Sequence, residues 1–232
     1  MLLLAAVAYA QDKRDIFNPV TTAVTSLSIA PDARGGGMGD VGCATEPDAE
    51  AQYWKPAKYP WNISRAGVSV SYTPWLRQLV NDINLANIAG FYRIGDYQAL
   101  SASLRYFSLG EVYLADGENM TSATSGMTIK PYELAFDLGY SRILGRTWSA
   151  AVAMRFIFSD ITYDYSSESS PGKAFAADIA LYHQHYFMMG SRECQFNFGL
   201  NLNNIGSKIT YGGSDNAEFI PANLRLGVGL II

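Results

Sequence analysis

The sequence predicts an all-β protein. It reads as an antiparallel, up-and-down transmembrane β-barrel, present as about eight strands of a larger barrel in an open, incomplete sheet, with an N-terminal plug or hatch segment. Three observations carry this reading. From Ala66 onward, segments of about ten residues alternate apolar with small polar side chains, a period of two that puts each set on its own face of a sheet. The connections alternate in length, as they do in barrels with short periplasmic turns and long outer loops. The chain of 232 residues is 49% hydrophobic but only 16% charged, so its polar strand face lacks the abundant Lys and Glu of a solvent face.

Composition removes several other classes. About 25% charged residues is typical of globular chains, and so low a charge content with this much apolar surface excludes a disordered chain. A net charge of −4 and a pI near 5.2 leave no basic footprint for nucleic acid. The longest apolar run, residues 1–10, falls well short of the roughly 18 residues of a membrane helix. Tyr 15, Phe 11 and Gly 21 favour strands and turns over a helical bundle.

The N-terminus points to export. Residues 2–7 are apolar, Ala8-Tyr9-Ala10 is an A-x-A cleavage pattern, and the polar Gln11-Asp12-Lys13-Arg14-Asp15 follows. Residues 1–10 therefore read as the remnant of a signal peptide without its positive n-region, the alternative being a short buried strand. No cysteine follows the cleavage pattern, so a lipid anchor is not supported. Export permits a disulfide, but Cys43 and Cys194 stand in distant segments, and such cysteines are more often unpaired.

The strands follow in order, near 67–72, 83–94, 99–109, 132–142, 147–159, 174–184, 194–205 and 222–231. Val68, Val70 and Tyr72 alternate with glycine and serine. Leu100, Leu104 and Tyr106 alternate with Ser101, Ser103 and Arg105. Leu134, Phe136, Leu138 and Tyr140 oppose Glu133, Ala135, Asp137 and Gly139, and the aromatic and aliphatic set is expected to face lipid. Trp148 to Phe158 and Phe175 to Leu181 continue the pattern. Phe196, Phe198, Leu200 and Leu202 then face away from Asn197, Gly199, Asn201 and Asn203, and Leu224 to Leu230 from Arg225. Tyr72, Trp75, Tyr140 and Trp148 sit at strand ends, where an interfacial aromatic girdle belongs. The competing architecture is a soluble β-sandwich, in which the apolar face would pack on a second sheet.

The inward set supplies candidate lumen charges: Arg105, Glu133, Asp137, Arg155, Asp178 and Arg225. The connections 73–81, 110–131, 160–173 and 206–221 are long, and candidate partner-contact residues on these outer loops are Pro74, Trp75, Leu76, Tyr113, Met120, Tyr163 and Tyr165. Tyr163 and Tyr165 are also the only support for a carbohydrate-binding sandwich. Residues 11–65 carry three turn clusters and read as a plug or hatch inside the partial barrel 66–232.

No chemistry of an enzyme emerges. Gly37-Met38-Gly39-Asp40-Val41-Gly42 matches G-x-G-x-x-G but lacks the strand–helix context of a dinucleotide site. Its glycines fit tight backbone turns in a crowded interior. His183 and His185 share a strand face without a third ligand nearby, so no metal is expected, and no catalytic residue or cofactor is assigned.

Residues 26–59 are more specific. Asp32-Ala33-Arg34-Gly35-Gly36-Gly37-Met38-Gly39-Asp40-Val41-Gly42-Cys43-Ala44-Thr45 and Asp48-Ala49-Glu50-Ala51-Gln52-Tyr53-Trp54-Lys55-Pro56-Ala57-Lys58-Tyr59 resemble the N-terminal signature of the fatty-acid-transporter-like barrels. More narrowly, with Ser71-Tyr72-Thr73-Pro74-Trp75-Leu76-Arg77-Gln78-Leu79-Val80-Asn81-Asp82 and Leu104-Arg105-Tyr106-Phe107-Ser108-Leu109-Gly110, the chain resembles the PorV/PorQ family of type IX secretion, from about Gln11 to its end. Lys55-Pro56-Ala57 stands where that family has Asn-Pro-Ala, so the role of the Asn does not carry over. The resemblance also implies barrels of about fourteen strands, within the 8-to-26 range of such proteins, so the chain is expected to be C-terminally truncated. It implies an outer-membrane protein that binds the C-terminal signal domain of secreted cargo leaving the large translocon barrel and passes it to a sortase-like partner. The alternative within the superfamily is a barrel carrying hydrophobic small molecules.

Overall fold

The computed structural model describes residues 21–114, 127–161, 170–212 and 217–232. Met120, Tyr163, Tyr165 and residues 1–10, read above as a signal remnant, lie outside these residues. Ten strands follow a short helical prelude: β1 (Ala66–Pro74), β2 (Ile83–Ile94), β3 (Gln98–Leu109), β4 (Val112–Leu114), β5 (Met127–Ile129), β6 (Tyr132–Ile143), β7 (Trp148–Asp160), β8 (Gly172–Met189), β9 (Arg192–Gly206) and β10 (Asn223–Ile231). Eight of them form one antiparallel sheet in the order β1-β2-β3-β6-β7-β8-β9-β10, while β4 and β5 pair as a separate hairpin. The long strands fall where the alternation predicts, and the sheet is an open half-barrel whose edges are β1 and β10.

Register turns sequence alternation into two continuous surfaces. Val70, Ile88, Leu104, Phe136, Phe156 and Phe175 lie side by side across six strands. On this face Phe136 is 43% exposed, Leu138 55% and Met154 68%. No second sheet of the described residues covers it, which excludes the sandwich arrangement. Tyr106 and Tyr132 meet near the long-loop end of this face, with ring centroids 5.8 Å apart, and Tyr140 lies near its short-turn end. Tyr132 and Tyr140 are roughly 27 Å apart along β6 at 3.4 Å per residue, enough for a tilted strand to cross an apolar band about 25 Å tall.

The opposite row, Ala89, Ser103, Asp137, Arg155 and Ala176, is small or charged. Against this face lie residues 21–65, with two one-turn α-helices, α1 (Ala33–Gly37) and α2 (Ala51–Trp54), and 3-10 turns at Thr25–Ser28 and Pro56–Trp61. No helix of the described residues is long and apolar enough to cross a membrane.

Two details differ from the sequence reading. The connection 110–131 carries the β4–β5 hairpin, with Tyr113 opposite Thr128. The β8–β9 connection, read from the sequence as a short turn at roughly Tyr186–Arg192, is tighter still: the strands run on until Met189 faces Arg192. Gly190, at φ 66, makes that tight turn possible, because a hairpin turn of two residues needs positive φ. Gly190→Val is expected to cost about 1–2 kcal/mol, the left-handed penalty for a residue with a Cβ, read as a lower urea midpoint; Gly190→Asn should cost less.

Candidate functional site

The inner face centres on Arg155, which β7 places directly opposite Asp137 of β6. Its guanidinium donates to both Asp137 oxygens at 2.6 and 3.0 Å, to Asp178 Oδ2 at 3.1 Å, and to the Asn204 side-chain oxygen. The network closes on itself. Ser103 Oγ donates to Asp137 at 2.9 Å, and the Asn204 N–H donates to Asp178 at 2.7 Å. Asn204 holds φ 57, in the left-handed region that Asn tolerates better than most residues. One cation thus meets two carboxylates in a site where Arg155 and Asp137 are each 6% exposed, and the fork geometry of Arg suits such bidentate pairing.

The remaining charges of this face hold the N-terminal segment. Arg105 Nη1 donates to the Ser26 and Ile29 carbonyls at 3.1 and 3.4 Å and stands 4.7 Å from the Tyr53 ring centroid. Arg225 donates to the Tyr53 carbonyl at 2.8 Å and also lies over that ring, at 4.2 Å. Glu133 is buried and faces Ser26 and Ser159. Asn201 Nδ2 donates to the Trp54 carbonyl, and Trp61 Nε1 donates to Ser149 Oγ, which itself donates to the Ala57 carbonyl. Thus the polar strand positions complete the hydrogen bonds of a segment too short of regular structure to complete its own.

Within the segment, Asp32 caps α1 by accepting from the Gly35 N–H at 2.6 Å and also accepts from Trp54 Nε1 at 2.6 Å. A Cβ at Gly35 or at Gly42 would overlap the Trp54 ring. The third glycine of the G-x-G-x-x-G match is therefore spent on indole packing, with no strand–helix phosphate cradle around it. Tyr59 stacks on Phe91 at 4.7 Å.

Two lysines are buried in the same packing. Lys58 Nζ donates to the Gly42 carbonyl at 2.7 Å and to Thr45 Oγ1 at 2.9 Å. Lys55 Nζ has no hydrogen-bond acceptor of good geometry and lies beside the Cys43 thiol and 5.4 Å from the Tyr182 ring centroid. Burial lowers both ammonium groups to about 8, against the opposing pull of Cys43 on Lys55 and of Asp48 on Lys58.

At the long-loop end, Asp82 ties two connections together. Its carboxylate accepts from the Glu111 N–H at 2.6 Å, and Gly110, at φ 84, leaves room for it. Lys130 pairs with Glu111 at 2.7 Å. Pro74 ends β1, the Trp75 N–H bonds the Ile83 carbonyl, and Leu76 adopts φ 52 at the start of a tight turn with Leu79 and Val80. Trp75 and Leu76 are both exposed. A cavity of about 590 Å³ lies between Trp75, Pro74 and Thr73 on one side and Ile29, Asp32 and Gly36 on the other.

His183 and His185 lie 6.3 Å apart, ring to ring, on the outward face, among Trp148, Phe196 and Phe187. Among the described residues no group of three metal-ligating side chains occurs. Cys43 and Cys194 are buried and free. Sequence alternation had no means of assigning Tyr53, Trp54, Lys55, Lys58 or Asn204 to the interior contacts. The aromatic, Pro-rich run 53–61 was the available signal.

Fold and site together define a class: an antiparallel half-barrel with an apolar outward face and an inner face occupied by its own N-terminal segment. Within that class the chain belongs to the PorV family: the family model for type IX secretion system protein PorV matches residues 10–232. It is therefore a component of type IX secretion. No curated protein matches the chain.

Replacing Asp137 with Leu leaves Arg155 short of its bidentate partner in a buried site, with an expected loss of about 3–5 kcal/mol, measured by urea unfolding. The lysines predict a pH dependence. Their folded values near 8 lie below the ordinary 10.5, so between those limits the unfolded chain binds more protons and stability rises with pH. Lys55→Met should flatten part of that rise and stabilise the chain at pH 7. An unchanged slope in the unfolding midpoint between pH 8 and 10 would contradict this.

Proposed function

We propose that this protein works in the bacterial outer membrane as a non-enzymatic secretion component. It binds the C-terminal signal domain of secreted cargo leaving the large translocon barrel and hands that cargo to a sortase-like attachment partner. The observation that carries the reading is the division of labour between surfaces. The outward face is apolar across all eight long strands, as lipid contact requires. The inner face is filled by residues 21–65, here read as a plug in a partial barrel 66–232. What remains for a macromolecular partner is the long-loop end, where Pro74, Trp75 and Leu76 are exposed and the β4–β5 pair continues the connection. Trp and Tyr at exposed loops are the side chains that anchor interfaces. Of the inward charges, Arg105, Glu133 and Arg225 are assigned to holding the plug, and Asp137, Arg155 and Asp178 to the network that joins the strands.

A second reading rests on one cavity. About 610 Å³ lies between Tyr53, Trp54, Val41 and Gly42 of the N-terminal segment and the inner side of β10 at Gly227 and Gly229, a size that suits a small ligand. A barrel carrying hydrophobic small molecules would use such a space. Arg34, Asp40, Glu46 and Arg225 also border it, and these charges favour the cargo reading.

Three measurements test the proposal. Phe136→Arg should cost about 2–4 kcal/mol in vesicles if it sits near mid-membrane; a cost near zero would remove lipid exposure. Trp75→Ala should weaken binding of a purified cargo signal domain by roughly tenfold, the loss of one anchor side chain, with the fold unchanged by gel mobility. Saturable fatty-acid binding abolished by narrowing the cavity with Val41→Trp would favour the transport reading instead.

A further inference from the structure

The β8–β9 hairpin overruns the rest of the sheet. Pairing of β7 with β8 ends where Trp148 faces His183, followed by one more bond from the Gln184 N–H to the Thr147 carbonyl. β8 and β9 continue together to Met189 opposite Arg192, about 20 Å past that rim at 3.3 Å per residue. The alternation of buried and exposed residues that β8 keeps through Gln184 stops there. Tyr186, Met188 and Met189 are all exposed, at 54%, 64% and 48%. Large apolar side chains thus stand in the open on both faces of the ribbon.

The backbone of this stretch is also unpaired on one side. In an antiparallel ladder the N–H and C=O of one residue point the same way, and the sides alternate along the strand. Because the Gln184 N–H points toward β7, the groups of Tyr186 and Met188 do too, and no described strand lies beside them. Lipid tails give such groups no partner, and water solvates them but leaves the Tyr186 and Met188 side chains exposed. An extended polypeptide answers both needs.

We propose that the β8 edge at Tyr186–Met188 is a strand-addition site for a short extended segment of another protein. The segment pairs through backbone hydrogen bonds and places apolar side chains at alternate positions against Tyr186 and Met188. An edge this short suits one peptide strand and not the joining of two whole sheets. It lies at the short-turn end, opposite Trp75 and the β4–β5 hairpin. Its assignment to the periplasmic side rests on the outer-membrane reading above; the strand addition itself does not.

The test uses the full chain refolded in detergent, with a fluorescein-labelled hexapeptide of alternating Thr and Val as probe and anisotropy as readout. Saturable binding is expected, weakened roughly tenfold or more by Met188→Pro, which deletes an N–H of the free edge and spares the ladder to β9. N-methylation of alternate peptide residues should weaken binding as much on the unmodified protein, and a nitroxide at Ser191→Cys should quench the bound fluorescein where one at Val68→Cys on the β1 edge does not, which decides the matter if Met188→Pro fails to fold. Equal binding of the methylated peptide, or none of the parent peptide, overturns the proposal. So does quenching by brominated lipid of a fluorophore at Met188→Cys, which would put the tip in the bilayer. Concentration-dependent dimers abolished by Met188→Pro would likewise overturn it, assigning the edge to a second copy. Vesicle insertion is scored separately: peptide binding without insertion defeats only the membrane reading, and insertion without peptide binding defeats only the strand-addition site.

Discussion

Arg155 and its two carboxylates are the fixed point of this molecule. A sheet that turns an apolar face outward must put its polar side chains on the inner face, where the cost of burying charge is met only by close pairing. Asp137 reaches Arg155 from the neighbouring strand and Asp178 from the strand beyond. Asn204 extends the network to β9 by accepting from the guanidinium and donating to Asp178, and its Nδ2 reaches the Pro221 carbonyl ahead of β10. Four strands are thereby joined by a network whose members satisfy one another, across the register shift that β8 and β9 make between Ala177 and Ile179. A slip of one residue would turn all of it toward the apolar side.

Around that point the N-terminal segment is organised by complementary need. It has few internal backbone hydrogen bonds, and the sheet has inward-pointing Arg, Asn and Ser. Arg105 and Arg225 both lie over the Tyr53 ring while bonding nearby carbonyls, so each contributes a charge-assisted bond and a cation–π contact. Trp54 is enclosed by two glycines and tied to Asp32. Lys55, a buried ammonium without a good acceptor, is with Gln52 among the members whose polar atoms lack a partner. Burial holds the Lys55 ammonium at about 8, below its ordinary 10.5, so the charge is retained here at a cost.

The two ends of the half-barrel differ in kind. At the long-loop end Asp82 and the Glu111–Lys130 pair secure the bases of the connections, while Trp75 and Leu76 are left to solvent. At the other end the turns are tight, and Arg93 donates to the Asn62 carbonyl at 2.7 Å. Among the described residues the β8–β9 hairpin runs on past the end of the β7–β8 pairing. Such an arrangement gives a secretion component two separate surfaces, one on each side of the apolar band.

Much of this was legible in the residues themselves. The alternation of Leu134, Phe136, Leu138 and Tyr140 with Glu133, Asp137 and Gly139 specifies strand, face and approximate length, because a strand has only two faces and the residue order assigns every side chain to one of them. The family followed from the run at Asp32–Thr45 and Asp48–Tyr59, where the residue types are too particular for a generic loop. The overrunning hairpin was not legible, since Tyr186–Arg192 reads equally well as a loop until Gly190 is seen to turn the chain in two residues. Nor was the Arg155 network. The pattern placed Arg105, Arg155 and Arg225 on one side but could not say that the first and last would grip Tyr53 while the middle one took both carboxylates. Periodicity is a local property and the sequence determined it alone. Which inward charge meets which partner depends on strand register and on a segment more than forty residues away in the chain, and only the tertiary structure decided that.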